Sequence, residues 1–181
     1  ARPALLLNLP VADGMAPACQ PGEPAYLSLR QLLRAPPAWA VSGRDVFVCE
    51  NPNLVAIAAD RLGRHCAPLV CTDGMPAAAQ RTLLAQLVQA GARLRYHGDF
   101  DWAGIQIGNH VLQTWGAQCW RFAASDYEAA VTEAPQLRHT LTGAPVAACW
   151  DAALAAAMVR HGHAIAEEAV AAALLADLRQ P

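Results

Sequence analysis

Two aspartates stand two positions apart in the run Tyr96-His97-Gly98-Asp99-Phe100-Asp101-Trp102-Ala103-Gly104. Leu94–His97 before them reads as a short strand, and Trp102–Trp115 after them as a helix ended by Gly116. Residues i and i+2 of a strand point to one side, so the spacing predicts both carboxylates facing one way at a strand end. That arrangement offers hard oxygen ligands to a divalent cation. Two more acids follow apolar runs: Glu50 after Val46–Cys49, and Asp73 after Leu69–Thr72. In open parallel sheets, ligands bind outside the carboxyl ends of the strands. Glu50, Asp99 and Asp101 can therefore converge despite about fifty intervening residues. Crowded carboxylates raise one another's pKa unless a cation is present. All-oxygen ligation favours Mg²⁺ or Mn²⁺.

The elements that must position these acids read as an alternation. Strands are expected at Asp45–Cys49, Pro68–Thr72, Leu94–His97 and Cys119–Phe122. Helices are expected at Asn53–Leu62, Pro76–Ala90 and Trp102–Trp115, closed by Gly63, Gly91 and Gly116. Short apolar strands alternating with helices of ten or more residues indicate parallel βαβ units. The predicted fold class is α/β: a Rossmann-like parallel sheet of about four strands flanked by helices, with C-terminal helices. Residues 1–40 are rich in Pro and Gly and read as an irregular N-terminal segment. Within it, strands at Ala4–Leu7 and Ala25–Leu27 and a helix capped by Ser28 are possible readings. The main domain is expected over 41–181. Its C-terminal helices are expected at Ser125–Val131, Asp151–Arg160 with Asp151 as N-cap, and roughly Ala164–Leu178. Thr140–Pro145 is the expected loop between the sheet and the C-terminal helices.

Composition narrows the class. The chain has 181 residues, 55% hydrophobic and 15% charged, which fits one globular domain with a sizeable core. No apolar run reaches the length of a membrane span, and the N-terminus lacks the pattern of a signal peptide. A cytoplasmic location without membrane contact is expected, as is a chain entered partway along a longer protein. The net charge of −2 gives no basic face of the kind DNA-binding domains show. Arginine supplies every basic side chain outside the histidines, and alanine is abundant, a bias that suits a high-GC bacterial genome. The six cysteines form no C-x-x-C pair, so a zinc site is not indicated, and they read as reduced thiols. His161-Gly-His163 fits a metal site or a junction between helices equally well.

A lone D-x-D occurs in phosphatases and sugar-nucleotide transferases as well as nucleases. In haloacid-dehalogenase-type phosphatases a Thr stands two residues past the second Asp; here Ala103 does. Taken with Glu50, the pattern resembles the Toprim domain of topoisomerase VI A subunits, with a Glu after its first strand and a D-x-D after its third. Thr72-Asp-Gly74-Met-Pro76, followed by Ala79, Arg81 and Leu83, is similar to that family's turn into an arginine-bearing helix. A narrower likeness is to the C-terminal region of the Wadjet nuclease subunit. It rests on Val46-Phe-Val-Cys-Glu50-Asn51-Pro52, Cys71-Thr-Asp-Gly74-Met-Pro76 and Tyr96-His97-Gly-Asp99-Phe-Asp101-Trp102, and spans about residues 40–178.

The resemblance implies a divalent-metal-dependent DNA endonuclease within an SMC-type anti-plasmid defence complex. It also implies double-stranded DNA and an SMC-type ATPase as partners, and a homodimer, since two strands need two sites. Topoisomerase VI relatives use a tyrosine in a separate winged-helix domain. None of Tyr26, Tyr96 and Tyr127 falls in such a domain, so hydrolysis by water is expected instead. Glu50, Asp99 and Asp101 are then the catalytic metal ligands, with Glu50 alternatively a base. Glu167 and Glu168 are further ligand candidates, although the dipole of a helix start explains them as well. Asn51 and Asn53 can orient ligands or cap a helix. Gly74 and Gly98 can bring backbone N–H groups to a phosphate, or simply make turns. Arg81 can reach phosphate or lie in solvent, and His97 is expected to support the site. Two alternatives from other classes stand beside this reading: a non-catalytic docking module of the same complex, and a D-x-D small-molecule phosphohydrolase.

Overall fold

The computed structural model describes residues 1–181. In chain order the elements are β1 (Ala4–Leu7), β2 (Ala25–Leu27), α1 (Leu29–Arg34), β3 (Asp45–Cys49), α2 (Pro52–Leu62), β4 (Leu69–Cys71), α3 (Ala78–Gln89) and β5 (Arg93–Tyr96). Then follow α4 (Trp102–Trp115), β6 (Gln118–Cys119), α5 (Ala124–Glu133), β7 (Arg138–Thr140), α6 (Leu154–His161), β8 (His163–Ile165) and α7 (Ala171–Leu178). One sheet runs in the order β2-β1-β4-β3-β5-β6, and β7 and β8 form a separate two-stranded ribbon. β4, β3, β5 and β6 are mutually parallel, while β1 runs antiparallel to both its neighbours.

The strand sequences explain the three layers. β3 is apolar at four successive positions, as a strand covered on both faces must be. Val46 and Val48 join one core cluster with Leu83, Leu84 and Leu87 of α3 and Ile105 and Val111 of α4. Phe47 and Cys49 join the other, with Leu54, Val55 and Ala58 of α2 and Leu174 and Leu178 of α7. Helices α2 and α3 thus cover opposite faces. The path from β3 through α2 moves to β4 on one side, and the path through α3 crosses back to β5 on the other. The sheet therefore reverses direction between β3 and β5, which makes that gap its topological switch point.

The α/β class and the flanking helices are as the alternating pattern indicates. The sheet has six strands rather than about four. Residues 1–40 are not merely irregular: Leu5, Leu6 and Leu7 pair with Cys71, Val70 and Leu69 and are buried, because three consecutive leucines need cover on both sides. Ser28 caps α1 in a reciprocal box with Gln31. The strand expected over Cys119–Phe122 is cut to Gln118–Cys119, and Arg121 takes a left-handed φ of 46°. The long C-terminal helix is broken into β8, a 3₁₀ turn over Glu167–Val170, and α7. Asp151 does not cap α6 at its first turn; its two oxygens accept from the amides of Ala124 and Ala153 and tie α5 to α6. No helix is long and apolar enough to cross a membrane.

Candidate functional site

The chain leaves β3 at Cys49 and enters α2 through Asn51, whose side chain caps the helix by accepting from the Asn53 amide at 2.9 Å. Pro52 sits at the first helical position, where a missing N–H costs nothing. Glu50 is thus held at the carboxyl end of β3, against the switch point. The neighbouring strand β5 ends at Tyr96, so Asp99 and Asp101 lie in the loop beyond it. The i, i+2 strand argument for their shared direction does not apply. Each is oriented by its own contacts instead. Asp101 caps α4, its Oδ1 accepting from the Gly104 amide at 2.7 Å. Asp99 donates its amide to Glu50 Oε2 at 2.9 Å, which links the first acid to the second.

The C-terminal segment completes the group. Phe100, between the two aspartates, forms an antiparallel bridge with Ile165, its amide donating to the Ile165 carbonyl at 2.9 Å. That bridge carries residues 166–168 across the ends of β3 and β5. The Glu167 amide then donates to Asp99 Oδ1 at 2.7 Å. Glu168 Oε1 accepts from Asn51 Nδ2 and Asn53 Nδ2, both at 2.9 Å. Five carboxylates therefore gather at the switch point.

Their hydrogen bonding follows a rule with one exception. Glu50, Asp99, Asp101 and Glu168 each have one oxygen committed to protein N–H donors and the other without a protein partner. Glu167 alone has both oxygens engaged. No arginine forms a salt bridge with any of the five. Burial, then repulsion from Asp99, pushes the Glu50 carboxyl up to about 8. Burial also pushes Asp99 up to about 6, with Glu167, Asp101 and Glu168 adding repulsion. Burial pushes Glu167 up as well, opposed by the Asn51 and Glu50 amides, which favour its ionised form. The Tyr96 hydroxyl is fully buried, has no hydrogen-bond partner, and lies on the same side as Glu50. A Cβ on Gly98 would stand 2.7 Å from that hydroxyl and 2.8 Å from Glu50 Oε2. Gly98 is thus required by a close approach, not by a turn.

His97 is fully buried between Phe100, Trp120 and Phe122. Burial lowers it to about 3, so the ring is neutral, with Nδ1 3.1 Å from Glu167 Oε1. Other sequence candidates lie apart from the acids' contacts. Gly74 has a left-handed φ of 78° and donates its amide to the Glu50 carbonyl at 3.3 Å, so it fastens the turn below the site. Asp73 is held by Arg2 at 3.2 Å. Arg81 is exposed on α3 and makes no hydrogen bond to the cluster. Gly162, in the left-handed region, ends α6, and His163 begins β8, so the His-Gly-His run is a helix stop followed by a strand.

No three of the His, Cys, Asp and Glu side chains stand ready-spaced as the ligand set of one ion. What fits a hard cation is the donor chemistry: four unpartnered carboxylate oxygens, raised proton affinities and no counter-charge. His97, expected to support the site, stands against Glu167; sequence reasoning missed that the Tyr96 hydroxyl lies beside Glu50, and that Glu167 differs from Glu168. The only signal for the latter was an acid pair in an otherwise apolar run.

Fold and site together define a three-layer α/β domain with a cluster of acids at its sheet's switch point. The chain belongs to the family described as "Protein of unknown function C-terminus (DUF2399)", whose match covers residues 25–178. No curated protein matches the chain.

Proposed function

We propose that this chain is a divalent-metal-dependent DNA endonuclease domain that hydrolyses phosphodiesters. On the resemblance to Toprim and Wadjet nuclease subunits, it serves an SMC-associated anti-plasmid system. The observation that carries the metal site is the set of four carboxylates, each with one oxygen anchored and one free. Anchoring by uncharged N–H groups, backbone amides for three acids and asparagine side chains for Glu168, fixes direction without neutralising charge, which is what a ligand set for an incoming cation requires. Glu50, Asp99, Asp101 and Glu168 would hold Mg²⁺ or Mn²⁺, which supplies charge neutralisation at the scissile phosphate and a more acidic water. Asn51 and Asn53 orient Glu168. Where Glu50 does not bind the ion, its one free oxygen and high proton affinity suit it instead to take a proton from the attacking water. The DNA substrate, the ATPase partner and a homodimer presenting two sites to two strands rest on the resemblance alone.

Plasmid nicking with Mn²⁺ tests the reading, with wild type set against Asp99→Ala and Asp101→Ala. Wild type nicks and both variants do not. Equal nicking by the variants overturns the assignment. Absence of nicking by wild type, with retained capture by the ATPase complex, favours the docking module. Hydrolysis of small phosphate esters without nicking favours the phosphohydrolase.

A further inference from the structure

Glu167 stands apart from the four acids around it. It is fully buried, and its carboxylate is saturated. Oε1 accepts from the Glu50 amide at 3.2 Å and lies 3.1 Å from His97 Nδ1. Oε2 accepts from the Asn51 amide at 2.8 Å. Its own backbone amide donates to Asp99 Oδ1. One residue therefore grips the end of β3, the residue following β5, and the aspartate loop. These are the three pieces whose relative placement sets the distance between Glu50 and Asp99.

We propose that Glu167 is a positioning residue of the metal site and not one of its ligands. Resting on the metal-dependent reading above, the inference divides the acid pair: Glu168 turns a free oxygen outward, while Glu167 clasps the scaffold from inside. The chemistry of the grip explains why an acid is needed. Two backbone N–H groups and a ring N–H converge on two oxygens, and only a carboxylate offers acceptors on both. A glutamine at this position would turn an NH₂ group toward at least one donor and leave a buried N–H unpaired. His97 takes part because its neutral ring, fixed by three aromatic neighbours, can donate through Nδ1 while its Nε2 has no partner. Ligating groups elsewhere depend in this way on outer partners that orient them.

The test has an arm that needs no activity and an arm that needs no variant. Glu167→Gln is compared with wild type by Mn²⁺ titration calorimetry and by the amide ¹H–¹⁵N signals of Glu50 and Asn51. The inference expects those two amides to move upfield in the variant as they lose a charged acceptor. Mn²⁺ affinity should fall by about ten- to a hundredfold, with the near-UV spectrum of the fold retained. In wild type titrated with Mg²⁺, both amides should stay downfield, because Glu167 keeps its grip when the ion binds. Unmoved amides in Glu167→Gln, or an unchanged Mn²⁺ affinity, overturn the positioning role. Collapse of the wild-type amides toward the variant's positions on adding Mg²⁺ makes Glu167 a ligand and also overturns it. Failure of wild type to bind either ion sinks the metal-dependent reading itself, a result distinct from the others.

Discussion

The two ends of the strand pair β3–β5 treat carboxylates in opposite ways. At the amino end, Asp45 opens β3 and is paired in register with Arg93. Its oxygens lie 2.9 Å from Arg93 Nε and 3.7 Å from Arg95 Nη1. At the carboxyl end of the same strands, five carboxylates meet without one arginine. The carboxyl end adds helix starts and a crossing segment whose amides anchor the acids, while the amino end pairs its acid with cations across the strands. Cross-strand opposite charges are a routine way to stabilise a sheet, and this chain uses them at the amino end. Leaving acids buried and uncompensated is costly, and that cost is concentrated at the switch point, where a ligand from outside can remove it.

The sharpest way to break this contrast is to neutralise one acid at each end. Glu50→Gln should cut plasmid nicking by on the order of a thousandfold, while raising the ion-free melting temperature. Above about pH 8, where the Glu50 carboxyl is ionised, removing one buried charge from a repelling group is worth about 1 kcal/mol or more, which for a chain of this length is about 2–4 °C. Scanning calorimetry beside the nicking assay reads both. A variant that loses activity and also melts lower would mean that the acids are structural, and the contrast between the two ends would disappear.

Next in size is a steric change at the carboxyl end. A Cβ on Gly104 would collide with the Asp99 carbonyl oxygen, a backbone atom that cannot step aside, and would approach Asp101 Oδ1 to 3.2 Å. Alanine usually favours a helix over glycine, so propensity and site geometry pull in opposite directions here. The collision wins, because the Gly104 amide is tied to Asp101 Oδ1 at 2.7 Å and Asp99 is tied on both sides to Glu50 and Glu167. Gly104→Ala should weaken Mn²⁺ binding and lower nicking by about a hundredfold, the scale of an ångström's misplacement. Retention of full activity would show that the aspartate loop is not held as tightly as its contacts indicate.

How much of this was legible in the chain follows from which contacts are local. Asp99-x-Asp101, the Asn51-Pro52 helix start and the apolar run Val46–Cys49 are local, and they indicate βαβ units with acids at strand ends. The reversal between β3 and β5 depends on which side of the sheet α3 crosses, and no local pattern encodes that. The break at Ala166 was hidden because Ala164–Leu178 is apolar enough to pass for one helix; it is imposed by Ile165 pairing with Phe100, about 65 residues away. Glu167 and Glu168 are alike as sequence and become different only when one is buried beneath the other's partners. The pairing of β1 with β4 was obscured by the prolines and glycines surrounding three leucines.

A smaller effect, and a test of sign, is the response to pH. Glu50 holds its proton up to about 8 in the folded chain, and Asp99 to about 6, against ordinary values near 4. Raised carboxyls mean that the folded state binds more protons than the unfolded one between those limits, so stability declines as pH rises through that window. The ion-free melting temperature should fall from pH 5 to pH 8 and level off above it. Bound cation replaces those protons, so Mn²⁺ affinity should climb over the same interval. The gap between melting curves with and without Mn²⁺ therefore widens with pH. A gap that narrows would mean that the carboxylates do not meet the ion.

The smallest effect is expected at the other end of the strands, and its smallness is the point. Asp45→Asn removes the acid that faces Arg93 and Arg95. Both arginines are substantially exposed, and a pair of this kind is worth about 0–1 kcal/mol. The variant should melt within a few degrees of wild type, slightly lower, and the difference should shrink further in high salt. Nicking rate and Mn²⁺ affinity should not change, because Asp45 is separated from Glu50 by the full length of β3. Glu50→Gln and Asp45→Asn each neutralise one acid at opposite ends of β3, yet above about pH 8, where Glu50 is ionised, one should raise the melting temperature and cut activity about a thousandfold, while the other lowers it and leaves activity alone. Should the two variants shift stability in the same direction, the cation supplied by Arg93 and Arg95 would not be what distinguishes the ends.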